Sequence, residues 1–210
     1  MDLGDGHLWW QTRLFLLASG MARHRPNSAI AFTAVLAEQP EQFIGWAHST
    51  AVRDCLLTTD EQLRRAYYLA IQETNLVGLA SPTQVIAQRT ELDIPFQLAP
   101  GKGMPHVTKL DDSVFEQRQF EHLLGVEGGH LRQGVEVIAS QARDIFAPIL
   151  HVQSLAEEAS ESEKLSALTE SNNDYLGITD KGRYVNLVPH RTVVNAVLSA
   201  LRPDSTSATA

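Results

Sequence analysis

The stretch from Asp174 to Leu201 constrains the fold more tightly than any other part of the chain. Tyr175, Leu176 and Ile178, then Tyr184, Val185, Leu187 and Val188, make two short runs of strand-forming residues. Asp180-Lys181-Gly182 lies between them, and Gly182 can take the positive φ that a tight hairpin demands. Pro189 follows the second run, where a helix can open because the missing N–H is an orphan there anyway. Val193, Val194, Val197, Leu198 and Leu201 then recur every three or four residues, one apolar face of a helix. The stretch reads as a β-hairpin feeding a helix.

The beginning of the chain reads in the same order. Asp5 is a candidate cap for a helix reaching about His24, with Leu14, Leu17 and Met21 on one face and Trp10 beside them. The adjacent Trp9-Trp10 pair reads as packing rather than as the wall of a ligand pocket. Ala29–Leu36 is a strand, Glu38–Glu41 a loop and Phe43–Ala47 a second strand. A helix then opens at His48-Ser49-Thr50 and runs through Leu57. Phe43–Val52 aligns with Tyr184–Val193 without a gap, matching aromatic, aliphatic and apolar positions while sharing few identities. Upstream of the second copy, Ile149–Val152 reads as a short strand. Leu155, Leu165 and Leu168 fall in a helical stretch near Ser162–Ser171. The pattern predicts an internal repeat, which decides the fold if it holds.

Between the copies the character changes. Thr59-Asp60-Glu61 signals a helix start, with Leu63, Ala66, Tyr67, Ala70 and Ile71 on one face. Asn75–Ala80 is a short apolar run, read as a strand, and Ser81-Pro82-Thr83 opens a further helix. Leu92–Lys109 carries three prolines and two glycines and reads as irregular. Asp111-Asp112-Ser113 caps a helix to Leu124, which Gly125-Val126-Glu127-Gly128-Gly129 interrupts before helix resumes from His130 to Phe146.

Bulk properties narrow the function classes. A formal net charge of −8 argues against a general nucleic-acid binder, which needs a basic surface to displace counterions. Cys55 is the single cysteine, so no intrachain disulfide and no cysteine-based zinc site can form. The acidic start Met1-Asp2-Leu3-Gly4-Asp5 is unlike a secretory signal, and no apolar run near it approaches the roughly 20 residues that span a bilayer. These features predict a cytoplasmic protein with no membrane contact.

Leu176-Gly177-Ile178-Thr179-Asp180-Lys181-Gly182-Arg183-Tyr184-Val185-Asn186-Leu187-Val188 resembles the closing half of a cystathionine-β-synthase (CBS) domain, in which two strands precede the last helix. The resemblance implies an α/β fold with mixed sheets. It places an N-terminal CBS-like half at 1–57, a mainly helical insertion at 58–147, a C-terminal CBS-like half at 148–203 and a disordered tail at 204–210. It also implies a cleft of the kind that binds adenine nucleotides, and a homodimer. Nucleotide-binding members of that family carry a Ser/Thr and, three residues later, an Asp that holds the ribose hydroxyls. Here those positions fall at about Pro189 and Thr192, and in the first copy at about His48 and Ala51, so neither copy has the Asp.

The site residues implied for an adenine nucleotide are therefore His48, Arg53, His190, Arg191 and Thr192, with the imidazoles and guanidiniums as anion contacts. The loss of the Asp favours a non-catalytic regulatory or protein-interaction module, acting on an unidentified partner protein. An adenine-nucleotide sensor is the alternative. An enzyme is the third reading, and Glu127 with His130 or His106 are its only candidates. Gly101-Lys102-Gly103-Met104-Pro105-His106 lacks the spacing and the Ser/Thr of a phosphate loop and reads as a turn.

Overall fold

In the computed structural model, residues 1–3, 11–79, 112–133, 139–170 and 173–200 are described. The elements run α1 (Gln11–His24), β1 (Ala29–Leu36), β2 (Gln39–His48), α2 (Ser49–Thr59), α3 (Glu61–Leu79), α4 (Asp112–Gln133), α5 (Ala139–Phe146), β3 (Ser154–Ala156), α6 (Glu161–Glu170), β4 (Tyr175–Asp180), β5 (Arg183–Pro189) and α7 (His190–Ala200). Among the described residues this is a mixed α/β protein with one five-stranded mixed sheet. Contacts divide the chain into two units. The first takes Met1–Trp9, Met21–Cys55 and Glu136–Ala210, and the second Trp10–Gly20 and Leu56–Val135.

The first unit holds the sheet, ordered β1-β2-β5-β4-β3, with β3 parallel to β4 and the other pairs antiparallel. Both hairpins close on two-residue turns whose central residues have positive φ: 49° and 64° at Ala37 and Glu38, 49° and 85° at Lys181 and Gly182. That turn geometry matches the right-handed twist of the flanking strands. In the first hairpin the ladder resumes at once, Leu36 opposite Gln39, so the stretch read as a loop is already strand. The hairpins meet through their second strands, where Gln42 pairs with Arg183 and the Phe43 N–H donates to the Gly182 carbonyl at 2.9 Å. Asp2 bridges Thr33 of β1 in parallel, as β3 pairs in parallel with β4.

Core packing is concentrated on the first hairpin. Ile30, Phe32, Ala34, Ile44, Trp46 and Ala47 are buried together with Val52 of α2, and Phe32 stacks on Phe146 of α5 at 5.4 Å. Residues 150 and 151 pass close against β2: a Cβ on Gly45 would lie 2.8 Å from Leu150 Cγ and 2.9 Å from the His151 carbonyl. The absent side chain lets Trp46 and His151 exchange two backbone hydrogen bonds, at 2.9 and 2.8 Å. Residues 149–152 thus give a single bridge rather than the expected strand. Strand structure comes at β3, which contains Leu155, a residue the sequence assigned to a helix.

The second unit is helical. Phe15 of α1 and Phe115 of α4 both pack edge-on to Tyr67 of α3, at 5.8 and 5.7 Å. Leu63, Ala66, Tyr67, Ala70 and Ile71 are buried, as their spacing predicts. Asp60 caps α3 by accepting from the Gln62 and Leu63 N–H groups at 2.8 and 3.1 Å. Two readings of this region need correction. Asn75–Leu79 continues α3 rather than forming a strand, and α4 runs unbroken through Gly125, Gly128 and Gly129. Each glycine costs a helix about 1 kcal/mol relative to Ala. Tertiary packing outweighs that here, because Phe115, Gln119, Leu123 and His130 form a buried stripe along α4. The Gln119 amide also donates to the Ser19 hydroxyl at 2.9 Å inside that interface.

The Trp9-Trp10 pair, Ser81–Arg89, the 92–109 segment with His106, and the 204–210 tail lie outside the described residues. No described helix is long and apolar enough to cross a membrane.

Candidate functional site

Alternation along β2 puts Trp46 and His48 on one face of the sheet. Around them, within the first unit, gather His151, Asp174 and Tyr175. The His151 ring stacks on the Trp46 indole at 4.2 Å with 22° between planes. His48 and Tyr175 meet the same indole edge-on at 5.2 and 5.3 Å. His48 Nε2 lies 3.1 Å from Asp174 Oδ2, and the His190 backbone N–H donates to the Asp174 carbonyl oxygen at 2.8 Å. The Tyr175 hydroxyl donates to the Asn27 carbonyl at 2.5 Å, tying β4 to the segment between α1 and β1.

The electrostatics follow from burial. Trp46 is fully buried, and its indole N–H has no hydrogen-bond partner among the described residues. Burial, and then the neighbouring His48 charge, hold the His151 imidazole below its ordinary titration range; a hydrogen bond with Asn173 and the Asp174 charge oppose this. His151 is therefore neutral at pH 7. The His48–Asp174 pair is largely solvent-exposed on its Asp174 side and adds little to stability.

Of the residues implied for a nucleotide, His48 ends β2, while His190, Arg191 and Thr192 form the first turn of α7. Asp174 links the two corner histidines, one through its side chain and the other through its backbone. Arg53 on α2 forms an ion pair with its neighbour Asp54 at 2.7 Å. Arg191 and Thr192 are exposed. Sequence reasoning missed Asp174, His151 and Tyr175. His151 arrives through its bridge to Trp46, and Asp174 and Tyr175 through the pairing of β4 with β5 and the Tyr175–Asn27 hydrogen bond; no local motif encodes either.

The residues considered for catalysis separate. Glu127 accepts from Arg13 Nη2 at 2.8 Å and from Nε at 3.2 Å, with the Thr12 hydroxyl at 3.4 Å. His130 Nε2 instead faces Asp60 Oδ2 at 3.6 Å, buried beside the α3 cap. Glu127 also borders an open groove of about 330 Å³, whose remaining wall is mainly Leu16, Phe120, Leu123 and Leu124. The Cys55 thiol donates to the Ile145 carbonyl at 3.2 Å, and burial raises its pKa, which disfavours the nucleophilic thiolate. Among the described residues no group of three or more His, Cys, Asp or Glu side chains is placed to hold a metal ion.

No protein-family model, curated protein or solved structure matches this chain.

Proposed function

We propose that the chain is a non-catalytic regulatory or protein-interaction module, built of two CBS-like copies and acting on a partner protein, in which nucleotide binding has been lost. One observation carries this reading: each hairpin follows a helix, leads into a helix, and contributes its second strand to the junction with the other. The parallel bridge at Asp2 and the parallel strand β3 extend the correspondence upstream of each helix. The state of the anion-binding candidates favours loss of the ligand. Asp174 Oδ2 faces the His48 imidazole and Asp54 pairs with Arg53, so these two candidates already have a carboxylate beside them.

An adenine-nucleotide sensor is the second reading, and the convergence of His48 and His190 on Asp174 favours it. A thermal-shift panel with ATP, ADP, AMP and S-adenosylmethionine separates the two. A flat response is expected of the interaction module. A rise in Tm that disappears in the His190→Ala/Arg191→Ala variant would replace it with the sensor.

A further inference from the structure

We propose that residues 150–151 form a proton-operated latch on β2, shut over Gly45 and Trp46 while His151 is neutral and released when His48 and His151 both carry a proton. Two backbone hydrogen bonds hold the latch, an isolated bridge between Trp46 and His151 at 2.9 and 2.8 Å. In an extended strand the N–H and C=O of one residue point the same way, and those of Trp46 point to His151, away from β1. Leu150 lies in the space that Gly45 leaves beside the bridge. Opening therefore frees the Trp46 backbone without breaking the ladder between β1 and β2.

The His151 ring sits where a positive charge is poorly tolerated. It stacks on the fully buried Trp46 indole at 4.2 Å, and its centroid is 6.4 Å from that of His48. The groups around it come from three elements. His48 ends β2, Asn173 and Asp174 precede β4 and Tyr175 begins it, and α7 adds the His190 backbone N–H on the Asp174 carbonyl. Asn173 hydrogen-bonds to His151, and the Tyr175 hydroxyl is engaged by Asn27. Asp174 is the carboxylate acting on the ring, but its Oδ2 is held 3.1 Å from His48 Nε2. Burial first, and the His48 charge second, lower the His151 pKa in the shut state. Released into water, the ring returns to the ordinary histidine value near 6.5, so the open state binds the proton more tightly. The latch is accordingly shut above that range and driven open as pH falls through it, by up to about tenfold per pH unit for one proton. Attraction between an imidazolium and an indole face acts in the opposite direction. A segment that opens on proton uptake is a bistable element of the kind regulatory proteins use. The latch goes beyond the proposed function and stands without it, since neither the repeat nor a nucleotide enters.

Amide hydrogen exchange of the intact chain, followed by NMR from about pH 7.5 to about pH 5 and corrected for the intrinsic exchange rate, tests the latch. The Trp46 and His151 amides are expected to lose protection as the His151 ring titrates, by up to about tenfold per pH unit. The Ile30 and Phe32 amides, on the ladder between β1 and β2, are expected to stay protected. His151→Phe keeps a ring on the indole but takes up no proton, and is expected to hold protection level across the range. His48→Gln removes the neighbouring positive charge and is expected to shrink the acid-induced loss. Wild-type protection that stays level or rises on acidification overturns the proposal, as does a loss shared by Ile30 and Phe32. An equal loss in folded His151→Phe, or an unchanged one in His48→Gln, overturns it too. If His151→Phe fails to fold, the wild-type profile and His48→Gln still decide it.

Discussion

The two hairpins of the sheet share a turn type and a following helix and adjoin through their second strands, but they are buried to very different degrees. β1 and β2 contribute six buried apolar side chains, including Trp46 and Phe32, which stacks on Phe146 of α5. β4 and β5 rest on a small cluster, Leu155 and Leu176, with Ala159, Ala167, Ile178, Val193 and Val194 only partly buried around it. One hairpin is thus finished by its own chain, while the other leaves an apolar side chain of its second strand, Val185, exposed. Similar local sequence patterns produce similar elements. Burial depends on what arrives from elsewhere in the chain, and for the second hairpin little arrives among the described residues.

Large-to-small substitution tests this contrast most strongly. Phe32→Ala removes a buried ring stacked on Phe146 and is expected to cost about 3–5 kcal/mol by urea denaturation. Leu187→Ala on half-exposed β5 is expected to cost less than about 1 kcal/mol. Equal losses would show that the second hairpin is as well supported as the first.

The turns sharpen the comparison at a smaller scale. Glu38 holds a φ of 64° without being glycine, so Glu38→Gly is expected to stabilise the first hairpin by about 0.5–1 kcal/mol. Gly182→Ala, at φ 85°, is expected to destabilise the second by about 1 kcal/mol or more, and its Cβ would also displace the end of the Gln42 side chain. Thermal melts that move in the same direction for both variants would contradict the shared turn geometry.

The smallest effect is one of pH. The folded state depresses the His151 pKa, so the unfolded chain binds more protons once the pH falls to the ordinary histidine range near 6.5. Stability contributed by His151 is therefore lost as pH falls through that value, and the loss is complete below the depressed folded value. His151→Phe keeps a ring on Trp46 and is expected to flatten the stability profile between about pH 7 and 5. An unchanged slope would remove His151 from the account.

Much of the local structure was legible in the sequence. Strand β1 spans the predicted residues, Gly182 takes the positive φ expected of it, and the α3 stripe from Leu63 to Ile71 is buried. The misreadings share one cause. Gly125, Gly128 and Gly129 look like a helix break, and Gln39-Pro40-Glu41 looks like a loop, because local propensity was read without the partners that override it. The cluster on Trp46 was less legible still. His48 was singled out from its corner position, but His151 and Asp174 reach it only through pairings between distant parts of the chain.

The bridge between Trp46 and His151 also bears on how the protein is made. During synthesis the first hairpin emerges early, but the segment that seals its outer edge is translated roughly a hundred residues later, and such distant pairings slow folding. Until Leu150 slots against Gly45, the nascent chain must carry an uncovered tryptophan-bearing strand, the kind of surface on which chaperones act.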